Sequence, residues 1–314
     1  MIEAILQSLV AGLLIGSVYG LMCVGLALIF GIMRVINFAQ GEFLMLGMYA
    51  MLFLVPIATG LMMGNTLAGL LISIVCTAPI MYLLGSWIHS SLLAPATRIR
   101  TKSGETQSQQ VQFIITLGIS ILIQNASTIV FGAEIQTVRN SISAASWSIP
   151  IPFLEGGLLF INHARALTFI LGVAIAFGLH WLIKNTWMGK TLRATADNPV
   201  AAIYMSIDAD KVHRIAFALG TAITAMAGAF VAIQFPFHPF IGLDFVIVMY
   251  AGVVLGGLGS IMGAFWGGVA IGVIQQMSTV FLPNQLQNVV LFVIFILILF
   301  VRPQGFFGRS FERT

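Results

Sequence analysis

Charged side chains are scarce in this chain. Only 8% of its 314 residues are Asp, Glu, Lys or Arg, and the 14 basic and 10 acidic residues leave a formal net charge of +4. Soluble domains carry about a quarter charged residues, so a water-exposed globular surface is excluded. Cysteine is nearly absent too: Cys23 and Cys76 both fall inside apolar runs, which excludes a disulfide framework or a tetrahedral thiolate metal site. The five histidines are far apart, and no Ser/His/Asp arrangement appears, so an enzymatic reading has no support and no cofactor is implied. The small basic excess is confined to a few segments between apolar runs. It reports orientation in a membrane rather than a nucleic-acid partner.

Apolar runs fill the space that charge leaves. With 59% hydrophobic residues, 32 glycines and 24 phenylalanines, and a mean hydropathy of +1.03, the chain reads as all-α: a polytopic transmembrane helical bundle in one domain over residues 1–314. Runs of about 20 residues mark spans at Leu9 to Phe30, Phe38 to Thr59, Leu67 to Ile88, Val111 to Phe131, Leu167 to Ile183 and Ile215 to Phe235. An irregular region from Phe245 to Phe281 follows, and then a last span from Asn284 to Val301, about eight in all. No Lys or Arg precedes the first span, so it lacks the basic region of a cleaved signal and is expected to remain. Within the irregular region, Phe245 to Gly256 measures about 18 Å as a helix, short of a hydrocarbon core of about 30 Å, and reads as a half-helix or re-entrant element. Pro303 disfavours helical geometry at Arg302 and stops the last span.

Eleven of the 14 basic residues lie in three segments that a consistent threading puts on one side: Arg98 to Lys102, Lys184 to Arg214, and Arg302 to Arg313. That side is expected to be cytoplasmic, with the C-terminus on it. The segment at about 132–165 then faces outward. Trp147, Ile149-Pro150-Ile151-Pro152 and Gly156-Gly157 make it an ordered element rather than a linker. Trp147 is either the anchor of a docking surface or a tryptophan at headgroup level.

Glycine spacing supplies helix contacts. Gly12, Gly16 and Gly20 form a small-residue stripe, as do Gly259, Gly263 and Gly267, with Gly268 and Gly272 offset by one. Such stripes let backbones approach closely, within this subunit or across a subunit interface. Two motifs imitate nucleotide sites and fail. Gly189-Lys190-Thr191 ends like a phosphate loop, but its first glycine would fall at Lys184 and no strand precedes it. Gly257-Leu258-Gly259 begins like a dinucleotide fingerprint, but Met262 stands where the third glycine belongs, which suits a hinge between broken membrane helices.

Polar residues inside apolar segments are costly and therefore candidates for a translocation path. The densest group is Asn37, Gln40 and Glu42. Asn37 as a helix cap and Arg34 as the ion-pair partner of Glu42 give a structural reading, and a polar lining at an inner gate gives a functional one. Gln124, Asn125, Gln234, Asp244 and Gln275 are further candidates. Interhelical hydrogen bonding is the alternative role for the amides, and helix initiation for Asp244.

The charged segment at about 184–214 separates two spans and carries Gly189-Lys190-Thr191-Leu192-Arg193-Ala194, Asp197-Asn198-Pro199 and Ala201 to Ile207. Together with Asn37 to Gly47, Gly252 to Gly272 and the ending Arg302-Pro303-Gln304-Gly305, it resembles the permease of branched-chain amino acid ABC importers over nearly the whole chain. The resemblance implies a multi-pass protein of the bacterial inner membrane. It also implies a second, related permease, two cytoplasmic ATPases and an extracytoplasmic solute-binding protein as partners, besides membrane lipid. Gly189, Arg193, Ala194, Asp197, Asn198, Ala201 and Ala202 map onto the family's ATPase-coupling loop. The solute is implied only as a branched-chain or other neutral amino acid, because the family also carries amides, urea and aromatic acids. The competing class is an ion-coupled secondary transporter, which needs midplane carboxylates, and only Glu42 and Asp244 lie near spans.

Overall fold

The computed structural model describes residues 1–95, 105–138, 142, 145–150, 158–283, 286–302 and 305–307, with only the backbone at 105–109. Among these, the helices are α1 (Ile2–Met33), α2 (Gln40–Leu61), α3 (Thr66–Ile88), α4 (Glu105–Phe131), α5 (His163–Asn185), α6 (Trp187–Asp197), α7 (Pro199–Tyr204), α8 (Ala209–Gln234), α9 (Ile241–Gly256), α10 (Ile261–Phe281) and α11 (Gln287–Val301). A π turn at His89–Leu93 extends α3. Strands β1 (Ser146–Pro150) and β2 (Leu158–Asn162) pair as an antiparallel hairpin. The bundle is therefore helical, as the apolar runs predict, with one small sheet in the segment expected to be ordered and external.

Among the described residues, seven helices are long and apolar enough to cross a membrane: α1 to α5, α8 and α10. The 16 residues of α9 and the 15 of α11 rise about 24 and 22 Å, less than the hydrocarbon core. The half-helix thus exists but begins at Ile241 rather than Phe245, so Asp244 sits inside its first turn and Phe240 is the cap residue. The last helix starts at Gln287; Asn284, Pro303, Gln304, Arg309 and Arg313 lie outside the described residues. Arg98, Arg100, Lys102, Arg139, Ile151, Pro152, Gly156 and Gly157 lie outside them as well.

Helices α1 and α8 are the most buried and form the axis of the bundle. Small residues permit this. A Cβ on Gly16 would lie 2.7 Å from the carbonyl oxygen of Val269, and one on Gly272 would collide with the backbone of Gly16, so α1 and α10 touch backbone to backbone. The glycine stripes therefore serve packing within this chain, and α10 carries two of them, though Gly259 lies in the turn before α10 with nothing within 4 Å of an added Cβ and does not belong to its stripe. Gly268 and Gly272 face α1, whereas Gly263 and Gly267 face the backbone of α9.

Between α1 and α2 the chain turns back into the bundle. Arg34 adopts φ 54° and ψ 34°, ending α1 in a left-handed turn, and α2 starts against α8 with Gln40 bonded to Gly220 and Thr224. These positions lie about 16 and 22 Å along α8 from Ala209, so Gln40 sits near the middle of the bundle's depth. At the end of α9, Gly257 and Gly259 take φ of 101° and 88°, and Ser260 caps α10 by accepting from the Gly263 amide at 3.0 Å. This is the hinge expected of the failed dinucleotide motif. The amides of Phe306 and Phe307 donate to the free carbonyls of Leu255 and Gly256 at 2.8 and 3.1 Å. Phe307, Gly259 and Arg193 line one cleft, so residues 305–307, the α9–α10 turn and α6 share one side of the bundle.

Candidate functional site

A buried polar seam runs through the apolar bundle. The Asn37 side chain donates to Gln40 Oε1 at 2.9 Å and accepts from the Ala39 amide at 3.1 Å, an Asx turn that sets the entry of α2. Gln40 Nε2 donates to the Gly220 carbonyl at 3.3 Å and to Thr224 Oγ1. Ser120 donates to Glu42 Oε1 at 3.2 Å. Glu42 is 0% exposed, and its Oε2 has no hydrogen-bond partner among the described residues. Arg34 does not pair with it. The guanidinium donates instead to the Ala196 carbonyl on α6 at 3.1 Å, because the left-handed turn at Arg34 sends its side chain outward while Asn37 to Glu42 run inward.

Helix α4 supplies the opposite wall. Gln112, Thr116 and Ser120 are buried at intervals of four residues, and Gln124 continues the face with a buried Nε2 that lacks a partner among the described residues. Steps of four drift by only about 40° per step, so the four share one face over about 18 Å. Thr116 Oγ1 donates to the Phe113 carbonyl of its own helix at 2.9 Å and accepts from the Phe38 amide at 3.4 Å. The Phe38 ring, 5.1 Å from Phe113 and 5.7 Å from Tyr250, covers the seam on one side.

The other sequence candidates stand apart from the seam. Asn125 is exposed and bonds the Ile121 carbonyl on its own helix at 2.8 Å. Gln234 donates to Thr168 at 2.8 Å, tying α8 to α5. Asp244 is exposed, and Gln275 reaches Asn288 of α11 at 3.5 Å. Gln112, Thr116 and Ser120 are what sequence reading missed, although a polar residue every fourth position in an apolar span was there to find.

The charged segment folds as two short helices with a cap at each entry. Thr186 accepts from Gly189 at 3.1 Å to start α6. Asn198 accepts from Ala201 at 2.9 Å and precedes Pro199 at the first position of α7. Asp208 accepts from Lys211 at 3.1 Å to start α8, and that amide holds its carboxyl below the usual carboxylate range. Gly189 is buried against the Ile183 backbone, and Ala202 is buried as well. Arg193, Ala194, Asp197, Asn198 and Ala201 are exposed. Around α7, Val200, Ile203, Tyr204 and Met205 are all exposed, Tyr204 at 83%. Four apolar side chains at the tip of a polar segment form an unshielded patch, and their apolar character among charges is the signal for it.

On the far side of the bundle, Trp147 is 55% exposed and its ring lies 4.4 Å from His163. The hairpin is fastened to the first turns of α1. Glu3 Oε1 accepts from the Leu158 amide at 3.2 Å, while Gln7 donates to the Phe160 carbonyl at 2.7 Å and accepts from its amide at 3.0 Å.

Among known proteins, the chain is 30% identical over 311 residues to the high-affinity branched-chain amino acid transport system permease protein LivH of Salmonella typhimurium, covering 97% of this chain and 96% of that one. It is 29% identical over 316 residues to LivH of Escherichia coli K12 and over 314 to BraD of Pseudomonas aeruginosa, with the same coverage in both cases. No solved structure matches it. Residues 8–299 match the family described as branched-chain amino acid transport system / permease component, and the chain belongs to that family.

Proposed function

We propose that this chain is the membrane permease of an ATP-driven importer for branched-chain or other neutral amino acids, coupled to separate ATPase subunits. The observation that carries the proposal is the α6–α7 segment. Two capped helices between spans present Arg193, Ala194, Asp197, Asn198 and Ala201 on their surface, and α7 ends in the apolar patch of Val200, Ile203, Tyr204 and Met205. A patch of this kind, rimmed by charge, suits a protein groove. Gly189 and Ala202 serve from beneath by letting the helices seat closely. The side that holds α6 and residues 305–307 is cytoplasmic on this reading, in the bacterial inner membrane, and the hairpin faces the solute-binding protein with Trp147 as an anchor. Asn37, Gln40, Glu42 and the α4 face line the path, and a second, related permease completes the pore.

The test is co-purification with the two ATPases. Arg193→Glu adds repulsion to the loss of an attraction at the contact, so the ATPases should dissociate while membrane insertion is retained. Normal co-purification and ATP hydrolysis in that variant would remove Arg193 from the interface.

A further inference from the structure

On the α6 side of the bundle, a cleft of about 1420 Å³ opens between the ends of α1 and α5, one face of α6 and the α9–α10 turn. Its cations are Arg34, Lys184, Lys190 and Arg193, and its one acidic side chain among the described residues is Asp197, a net charge of +3. None of the four forms an ion pair among the described residues. Each arginine uses a donor on a carbonyl, Arg34 on Ala196 and Arg193 on Lys184. A guanidinium has five donors, so both keep several for a ligand. Apart from His180 and Ser260 the remaining wall is apolar, with Ile36, Phe113 and Phe307 partly exposed to the cleft. Trp181 and Trp187, both exposed, flank Lys184 along the chain. Exposed tryptophans at a span end mark the headgroup level, which sets the depth of the cleft.

We propose that this cleft binds an anionic phospholipid, its phosphate on Lys184 and Lys190 with help from Arg34, and the upper acyl carbons on Ile36, Phe113 and Phe307. The pairing of cations with an apolar wall selects this occupant. Free phosphate would satisfy the charges and leave the wall wet, and a zwitterionic lipid would carry its own cation into a site already at +3. Basic pockets between membrane helices at headgroup depth hold anionic headgroups for these reasons. The inference rests on the bundle lying in a bilayer and not on coupling to ATPases. Lys184 and Lys190 belong to neither the seam nor the proposed coupling set.

The experiment titrates the purified transporter complex with dioleoyl phosphatidylglycerol or dioleoyl phosphatidylcholine and counts retained lipid by native mass spectrometry. Phosphatidylglycerol should be retained preferentially, and millimolar inorganic phosphate should not displace it. Lys184→Gln with Lys190→Gln should weaken its retention by about fivefold per lysine, roughly 25-fold for the pair, while Lys184→Arg with Lys190→Arg should preserve it. Equal retention of the two lipids by the unsubstituted complex overturns the proposal. So does displacement by inorganic phosphate, unchanged retention in the glutamine pair, or loss of a second permease subunit from that pair with lipid preference intact. Should the glutamine pair fail to assemble, the lipid comparison on the unsubstituted complex and the arginine pair still decide.

Discussion

The side-chain amide of Gln7 pairs with the backbone of Phe160 in both directions, donating at 2.7 Å and accepting at 3.0 Å. One turn earlier, Glu3 takes the Leu158 amide. The match is geometric: four helical residues advance about 6 Å and two strand residues about 6.7 Å, so one face of α1 meets the edge of β2 as another strand would. At its other end α1 finishes on Arg34, bonded to the Ala196 carbonyl of α6. A single continuous helix therefore joins the hairpin on one side to the charged segment on the other.

Gln7→Ala removes both bonds. At about 1 kcal/mol each, the loss should speed hydrogen exchange of the Phe160 amide by about tenfold or more with little change elsewhere. Gln7→Glu keeps the acceptor and should show a smaller rise. Equal protection in all three proteins would mean that the hairpin is held by other contacts.

Glu42 is the one carboxylate in the buried seam, and Ser120 is its single hydrogen-bond partner among the described residues. Glu42→Gln conserves shape and removes a buried charge, so thermal stability should hold or rise. Uptake should nevertheless fall by about tenfold or more, the effect of losing one charge-assisted contact with a polar solute. Uptake at the unsubstituted rate would remove Glu42 from the path.

Two glycine substitutions separate packing from propensity. Gly16→Ala puts a methyl group against the Val269 backbone and should destabilise the bundle by about 1–3 kcal/mol. Gly178 has nothing within 4 Å of an added Cβ, so Gly178→Ala should be neutral or stabilising by about 0.5 kcal/mol. Thermal unfolding in detergent reads both, and equal midpoints would contradict the close α1–α10 contact.

Tyr204 and Trp147, exposed on opposite sides, should fail separately. Tyr204→Asp buries a charge in the proposed ATPase contact and should weaken subunit affinity by about tenfold or more, measured by co-purification at falling concentration. Trp147→Ala should raise the concentration of binding protein needed to stimulate ATP hydrolysis and leave basal hydrolysis alone. An unchanged concentration dependence would make Trp147 a headgroup-level anchor.

Spans were legible because lipid demands long apolar runs, and the half-helix showed through the length between Phe245 and Gly256. Its true start at Ile241 did not, since Asp244 resembles a cap while the helix begins a turn earlier at an uncapped Phe240. Asn37, Gln40 and Glu42 were visible as a polar group, but the partner of Glu42 is Ser120 on a distant helix, and serine in an apolar span draws no notice alone. Arg34 shows the limit of proximity in sequence. Eight residues from Glu42, it turns the opposite way at a left-handed backbone angle that a non-glycine residue rarely signals.

Uptake by the complete complex in proteoliposomes tests the central claim most directly. With both permeases, the two ATPases and the binding protein present, labelled leucine or another neutral amino acid should accumulate only when ATP is supplied on the α6 side. Accumulation by this chain alone, driven by a proton or sodium gradient without ATP, would contradict the account and make Glu42 the coupling carboxylate of a secondary transporter.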